Sequence, residues 1–170
     1  MTLILVTPPT SAPISLDEAR AHLRVTGGEE DALIASLISA ATAHLDGWKG
    51  ILGRAIMPQT WAQEFRGEVA PFLIAMPDAT ISSVTADGAA VTTFTTAESP
   101  VGMLVDDVAG DLVRVQFTCA LPAAQLGLVK VAILLMVGHW FWNREAVGDQ
   151  LYAVPLAYDA IVEPLRWGRL

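Results

Sequence analysis

The residues that could carry chemistry are scattered along the chain and form no recognisable motif. His22, His44 and His139 each fall in a predicted helix, and none is followed three or four residues later by a second metal-ligating side chain. Helical metal sites usually show that spacing, because it places two ligands on one face. We therefore interpret the histidines as packing residues. Cys119 is the only cysteine, which excludes an intrachain disulfide and a thiolate zinc site.

An acidic cluster of Asp106, Asp107 and Asp111 is the remaining candidate for chemistry. It could hold a hard cation, and a metal-dependent hydrolase that loses activity on Asp to Ala substitution remains an alternative. The cluster lacks the ordered ligand spacing of a calcium loop, which favours a solvated turn. The chain also contains no G-x-S-x-G elbow and no glycine-rich phosphate loop followed by lysine. We expect no catalysis, no metal and no cofactor.

Composition and charge indicate a protein that associates with other copies and repels nucleic acid. The 170 residues are 53% hydrophobic and only 16% charged, so apolar surface is expected to remain for subunit contacts. The formal net charge is -8, and the segment from Glu68 to Asp111 contains seven acids and neither Lys nor Arg. Such a surface argues against binding in a DNA groove.

The N-terminus, MTLILVTPP, lacks the basic region and the long apolar stretch of a signal peptide. Together with the single cysteine, this pattern favours a protein that is made and kept in the reducing cytosol, unless a larger particle carries it out.

The segment from Leu126 to Trp142 is the longest apolar run, and it predicts a helix buried nearly all round, against its own domain or against another subunit. We expect one side to pack on the Leu33 to Ile51 helix and another side to help form a subunit contact. A membrane span is the alternative, but the charge-free part starts only after Lys130 and is shorter than the roughly 20 residues that cross a bilayer. Trp140, Phe141 and Trp142 could stack on bases. They point in different directions on a helix and no basic groove accompanies them, which favours core or interface packing.

The remaining patterns predict an α+β fold in which a helical bundle carries a small antiparallel β unit. Long helices are predicted near 30–53 and 122–144, and shorter ones near 16–24 and 156–165. The first short helix should begin with a capping box from Ser15 to Glu18. The second helix shows an apolar stripe of Leu33, Leu37, Ala41, His44, Trp48 and Ile51, widened by Ile34, Ile38 and Leu45.

From about residue 56 to 119 the period becomes alternating, which predicts five or six strands and a hairpin at Asp87-Gly88. Leu3 to Val6 reads as a short strand or an extended arm. We expect one adaptor domain, 1–170, with a β-rich insertion and extended terminal segments.

Three segments together resemble the phage head-tail connector proteins, the small adaptors of tailed double-stranded-DNA phages and of gene transfer agents. They are SLDEARAHLRV at 15–25 followed by DALI at 31–34, RAIMPQTW at 54–61, and AILLMVGHWFWNREA at 132–146. Each is weak alone, since the first merely caps a helix and the last merely ends one. Their order and spacing carry the resemblance, which leaves the middle β segment without a motif.

The resemblance implies a structural ring, usually of twelve copies, below the portal of a DNA-filled capsid. Implied partners are other copies of the chain, the portal protein and a tail stopper or terminator protein. Double-stranded DNA would pass through the centre without sequence-specific binding. The implied location is the host cytoplasm during assembly and then the head-tail junction of the particle, with no membrane.

Three sets of residues are predicted to serve this role. The contacts with the portal or with neighbouring proteins are predicted at Leu3, Ile4, Leu5, Arg166, Trp167, Arg169 and Leu170. The subunit interface is predicted at Trp48, Trp140 and Trp142, and the channel-facing acids at Asp78, Asp87, Asp106 and Asp107. The alternative from another class is a monomeric or dimeric cytosolic domain that binds a small ligand with its central β unit. Light scattering should show self-association or portal binding for an adaptor, whereas a permanent monomer with a small-molecule pocket would favour the alternative.

Overall fold

The computed structural model describes residues 2–143 and 156–168, and these divide into two compact units. The β unit comprises the chain up to Thr10 and Met57–Leu121, and the helical unit comprises Ser11–Ile56 and the described part of Pro122–Gly168. The α+β class is confirmed, whereas the bundle arrangement and the single adaptor domain stay predictions.

The helical unit contains four described helices. They are α1 (Leu16–Leu23), α2 (Asp31–Leu45), α3 (Ala123–Trp142) and α4 (Leu156–Val162), the last continued by a 3-10 turn at Glu163–Leu165. All four fall where the sequence predicts helices. The Arg144-Glu145 pair, predicted to end the third helix, lies outside the described residues.

The β unit contains eight described strands in two antiparallel sheets. The strands are β1 (Thr2–Thr7), β2 (Gln59–Arg66), β3 (Phe72–Leu73), β4 (Ala79–Ala86), β5 (Ala89–Val91), β6 (Thr95–Ser99), β7 (Gly102–Asp106) and β8 (Leu112–Cys119). The larger sheet has the order β1-β2-β8-β4-β5 and the smaller one the order β3-β7-β6. The hairpin prediction is confirmed, since Asp87 and Gly88 have φ of 51° and 83° and join the paired residues Ala86 and Ala89.

Two predictions about the strands need correction or completion. The segment predicted to form five or six strands forms seven, because strands as short as β3 and β5 leave too few residues to show an alternating pattern. Of the two alternatives for Leu3 to Val6, the strand is observed: β1 pairs antiparallel with β2. The predicted extended arm is therefore part of a sheet.

Helix α1 starts with the predicted capping box. Ser15 Oγ accepts a hydrogen bond from the Glu18 backbone N–H at 3.1 Å, and Glu18 Oε2 accepts one from the Ser15 N–H at 2.7 Å. The other Glu18 carboxylate oxygen lies 2.9 Å from Lys130 Nζ on α3. One carboxylate thus caps α1 and joins it to α3. Arg20 additionally joins α1 to α2, since its Nε donates to Asp31 Oδ1 at 2.7 Å.

Helix α2 is shorter than predicted and is rotated relative to the predicted stripe. It ends at Leu45 instead of near residue 53, because Asp46 is extended and Gly47 has a φ of 76°. The Asp46 carboxylate then accepts the Ile56 N–H at 2.7 Å. Its buried face consists of Ile34, Ile38, Ala41 and Leu45, whereas His44 of the predicted stripe is exposed.

The β unit contains a buried amide that connects its two sheets. Gln63, on β2, is fully buried. Its Nε2 donates to the Leu73 carbonyl at 2.9 Å, and its Oε1 accepts from the Ala75 N–H at 2.9 Å. Both backbone groups belong to the segment that begins the smaller sheet. A buried polar side chain is favourable only when it is paired in this way.

We expect Gln63→Leu to lower the free energy of unfolding by about 2 kcal/mol, because it leaves the partly buried Leu73 carbonyl and Ala75 N–H without their partner. Chemical denaturation followed by fluorescence measures this difference. The matched control is Gln116→Leu, which changes a half-buried amide on β8 and should stay within about 0.5 kcal/mol of the native protein. Equal losses in both variants would contradict the role assigned to Gln63.

The capping carboxylate predicts a pH-dependent contribution to stability. Hydrogen bonds from the Ser15 backbone and from Lys130 lower the pKa of Glu18 below its ordinary value of 4.5. A lowered folded-state pKa means that this stabilisation is complete above the unfolded pKa and is lost as the pH falls through the folded value. Glu18→Gln should therefore melt below the native protein at pH 7, and the gap should close upon acidification below 4.5. Glu29→Gln, at an exposed side chain, is the control and should show no such closing gap.

Candidate interaction surfaces

Helix α3 is buried on one face within the described part of the chain, and its opposite face is exposed. The expectation that another subunit covers this second face stays a prediction. The buried face consists of Val129, Ala132, Ile133, Met136, Val137 and Phe141. On the opposite face Leu128, Val131 and Trp142 are 48%, 45% and 70% exposed. The four residues 128, 131, 135 and 142 recur at heptad-like spacing, which places them along one stripe of the helix. We name Leu128, Val131, Leu135 and Trp142 the α3 stripe.

The α3 stripe leaves apolar side chains exposed along one face of the helix. Apolar side chains at this spacing can interlock with a second helix or an apolar sheet, as the seams of coiled coils do. At 20 residues α3 is also long and apolar enough to cross a membrane, and 39% of its most apolar stretch is buried within the protein. A core helix meets the same criterion, and α3 carries Lys130, which pairs with Glu18 on α1. The packing of its buried face is that of a core helix.

The three predicted interface tryptophans differ in their exposure. Trp142 is the most exposed large apolar side chain apart from Val69, and its ring meets Phe141 edge-on at 5.1 Å between centroids. Trp140 and Trp48 are only half-buried. Trp140 and Trp142 both lie in the last turn of α3 but point to different sides of the helix, and only Trp142 belongs to the α3 stripe.

Hydrogen bonds connect the segment that follows α4 to residues 52 and 54 of the helical unit. The Trp167 N–H donates to the Leu52 carbonyl at 2.8 Å, and Arg54 Nη1 lies 3.4 Å from the Leu165 carbonyl. Tyr158 of α4 is buried, and burial raises the pKa of its phenol. Arg166 is exposed and Trp167 half-buried. The remaining predicted tail contacts, Arg169 and Leu170, lie outside the described residues.

Strand β1 presents the other predicted contact residues. It forms one edge of the larger sheet and pairs with β2 only, among the described strands. Ile4, Leu5 and Val6 are each between 37% and 44% exposed, and Leu3 is half-buried. An uncharged apolar edge strand can accept a further strand, because its outward N–H and C=O groups have no partner in the sheet.

The predicted channel-facing acids do not form one patch. Asp78 precedes β4 and Asp87 follows it, so the eight residues of the strand separate them by roughly 25–30 Å. Asp87 lies instead beside Asp111 and Glu68, and these three acids line a shallow depression together with Val69, Ala70, Val108, Ala109 and Gly110. Asp106 is the last residue of β7 and Asp107 follows it, and the two immediately precede Val108 of this lining. The acids thus gather at one end of the β unit, with Asp78 apart.

Several of these acids have local structural roles. The Asp87 carboxylate accepts the N–H groups of Asp111 and Leu112, at 3.2 and 2.8 Å. Asp107 accepts the Thr95 hydroxyl at 2.8 Å. These hydrogen bonds fix the turns and explain why acids occupy left-handed positions at Asp87 and Asp107. Within residues 2–143 and 156–168, no three His, Cys, Asp or Glu side chains are grouped as a metal site.

Sequence reasoning expected a contact face on α3 but did not identify Leu128, Val131 and Leu135 as its members, and it missed the buried role of Gln63. The stripe has a signal in the sequence, namely the spacing of its members on the face opposite Ile133 and Val137. Gln63 has none, because an alternating strand predicts an apolar side chain at that position and nothing local specifies the carbonyl and N–H groups it meets.

Comparisons with known proteins found one family model that matches part of the chain and several solved structures with a similar fold. Residues 13–67 match the family model of the phage gp6-like head-tail connector protein. No curated protein matches the sequence. Among solved structures, one chain of the neck of an empty GTA particle computed with C6 symmetry is 18% identical with a TM-score of 0.74. A chain from the virion of a native gene transfer agent particle is 20% identical with a TM-score of 0.70.

A third structure, the neck of a native GTA particle computed with C12 symmetry, contains a chain that is 15% identical with a TM-score of 0.68. Each of these likenesses covers 100% of the present chain and 97% of the other. They extend over both units, including the β segment that carries no sequence motif. The resemblance to phage head-tail connectors is therefore confirmed, in sequence over residues 13–67 and in fold over the whole chain.

Proposed function

We propose that the protein is a structural subunit of the head-tail connector of a phage-like particle, in which copies of the chain form a ring below the portal. The observation that carries this proposal is the fold likeness over the entire chain to a component of a GTA neck, at a TM-score of 0.74. The match of residues 13–67 to the connector family supports it independently from sequence.

The α3 stripe is the proposed subunit contact within the ring. Its side chains expose apolar surface that the helical unit does not cover, and a heterologous contact between neighbouring copies would bury it. Trp142 is the proposed anchor, since a large aromatic side chain at an interface contributes more binding energy than its neighbours. Trp140 and Trp48 are proposed as supporting contacts.

The portal contact is proposed at the C-terminal tail from Arg166. The hydrogen bond between Trp167 and Leu52 holds the start of this tail at a defined point of the helical unit. A tail that is fixed at its start loses less conformational entropy when its end docks into a partner. The opposite side of the ring would receive the tail stopper or terminator protein.

The acidic end of the β unit is the proposed lining of the DNA channel. Glu68, Asp87 and Asp111 lie together there, with Asp106 and Asp107 adjacent in sequence, and the cation closest in sequence is the exposed Arg66. Negative charge in a channel wall minimises adsorption of the DNA phosphates as the duplex moves. Asp78 lies at the far end of β4 and is proposed to meet the channel only if the wall includes both ends of that strand.

We expect the double variant Leu128→Ser, Val131→Ser to weaken self-association at least tenfold, because two apolar contacts per interface are lost. Sedimentation velocity over a range of protein concentrations measures the change. The matched control is Val69→Ser, Val101→Ser, which removes two exposed valines from loops of the β unit. Equal weakening by the two double variants would contradict the assignment of the α3 stripe.

Trp167→Ala with Arg166→Ala should abolish co-purification with the portal protein of the same particle while leaving self-association intact. These substitutions keep the backbone hydrogen bond between Trp167 and Leu52, which a deletion of 166–170 would remove. Deletion of residues 166–170 is the stronger test, and normal portal assembly without them would rule out tail insertion. The control is Glu163→Ala, an exposed position just before the tail, which should bind the portal normally.

A reconstruction of the assembled ring tests the channel assignment directly. We expect Asp87, Asp106, Asp107 and Asp111 to face the lumen. Finding all of them on the outer circumference would overturn the channel assignment for these residues and leave the subunit and portal contacts untouched.

A further inference from the structure

The larger sheet of the β unit ends in two uncharged edges. One edge is β1, TLILVT, whose outward side meets no other described strand. The other edge is formed by β5 and by the first part of β4, since β5 covers only Val84–Ala86 of that strand. The free part of β4, residues 79–83, has the sequence ATISS. Folded proteins normally protect long edges with charge or proline, and neither edge has such protection.

The directions of the two edges fit each other. Each strand of the order β1-β2-β8-β4 runs antiparallel to the next, so β4 runs opposite to β1. A rotation about an axis parallel to the strands preserves strand direction from one copy to the next. The β4 edge of one copy would therefore meet the β1 edge of its neighbour in antiparallel orientation, which continues the sheet without a change of pattern.

The faces of the sheet define the register of such a pairing. Leu3 is in register with Gln63 and Val115 on the buried face, and Ile81 lies beside Phe117 on the same face. Ile4 lies on the other face, in register with Ala62 and Gln116. In one register, each residue of β1 lies opposite a β4 residue that belongs to the same face of the sheet. This register pairs Leu3 with Ile81, Ile4 with Thr80, and Leu5 with Ala79. A one-residue slip would place apolar and polar side chains on the wrong faces.

We propose that β1 of one copy pairs with residues 79–83 of a second copy, so that the five-stranded sheets of neighbouring subunits join into a continuous belt. The proposal rests on the ring assembly described above and assigns a second subunit contact, made by the β unit in addition to the α3 stripe. The occupant of the edge is another copy because this chain itself supplies the complementary edge, with opposite direction, similar length and no charge. The contact is heterologous: each copy gives one edge and receives the other.

Disulfide trapping of the full-length protein tests this pairing. Ile4→Cys and Thr80→Cys place thiols directly opposite each other in the predicted register, at a separation that a disulfide can bridge. Both positions are exposed, whereas the native Cys119 is buried. Mild oxidation of the double variant should give a ladder of dimers, trimers and larger species on a non-reducing gel. Either single variant should give no ladder. The matched control is Ile4→Cys with Thr96→Cys, an equally exposed threonine on β6 of the smaller sheet.

Sedimentation velocity of the same samples before oxidation separates this proposal from the proposed function. Oligomers that yield no ladder through residues 4 and 80 would overturn the edge pairing and leave the ring intact. Protein that stays monomeric at every concentration and gives no ladder would overturn both. Dimers from Ile4→Cys alone would show β1 pairing with itself, and an equal ladder in the control would show unspecific contact; each result rejects the proposal.

A charged edge provides a second test that needs no cysteine. Ile4→Lys should reduce oligomer formation at least tenfold, because lysine on an edge strand opposes strand addition. Thr96→Lys carries the same charge change on β6 and should leave oligomer formation unchanged. Thermal melting of both variants near the native midpoint establishes that the sheet is folded. Unaltered oligomers of folded Ile4→Lys would contradict the edge pairing.

Discussion

The described helices of the helical unit cover only one of the two apolar faces of α3, and the second face remains exposed. Helix α3 buries Val129, Ile133 and Val137 on one face, while Leu128 and Trp142 remain in solvent on the other. Burial of apolar surface contributes roughly 25 cal/mol per Å². Covering the exposed α3 stripe with another apolar surface would therefore contribute favourable free energy of binding. The one-sided burial of α3 is therefore consistent with the proposed subunit contact.

The acidic group of the β unit and its uncharged edge strands lie at different places on that unit. The acids gather at one end of the β unit, around Asp87 and Asp111, whereas β1 and the free part of β4 carry no charge. A net charge of -8 favours long-range repulsion between free copies. In the proposed contacts, the uncharged edges and the α3 stripe can be buried without removing water from a charged group, which lowers the cost of association at these places.

The sequence predicted those features that local chemistry determines. The capping box at Ser15, the hairpin at Asp87-Gly88 and the four helices are each specified by a few neighbouring residues, and each is observed. The length of α2 was not predicted correctly, because the turn at Asp46 and Gly47 ends the helix inside a segment that still shows a helical apolar pattern. The side of α3 that faces outward was not assigned to residues, because nearly every position from Ile133 to Val137 is apolar and only the wider spacing of the α3 stripe distinguishes the two faces.

For the candidate sites, too, features that depend on a few neighbouring residues could be predicted, whereas features that depend on distant parts of the chain could not. Exposure of β1 and of Trp142 could be inferred from their position and composition, but their surroundings could not. The grouping of Asp87 with Asp111 and Glu68 arises from strand pairing across more than twenty residues of sequence, and this pairing also removes Asp78 from the group. Spacing along the chain alone cannot distinguish a cluster from acids at opposite ends of one strand.

The extent of the family match has a physical explanation. Residues 13–67 contain α1, α2 and β2, so the matching segment runs from the helical unit into the β unit. It is dominated by caps, helix ends and the Asp46 turn, where a specific side chain satisfies a specific backbone group. The later strands need only alternate apolar and polar residues in the right register, and many sequences satisfy that requirement. Specific caps and turns keep the first part of the chain recognisable in sequence, whereas the strands require only a pattern. This difference explains why the fold is similar over the whole chain at 15–20% identity while the sequence match is confined to residues 13–67.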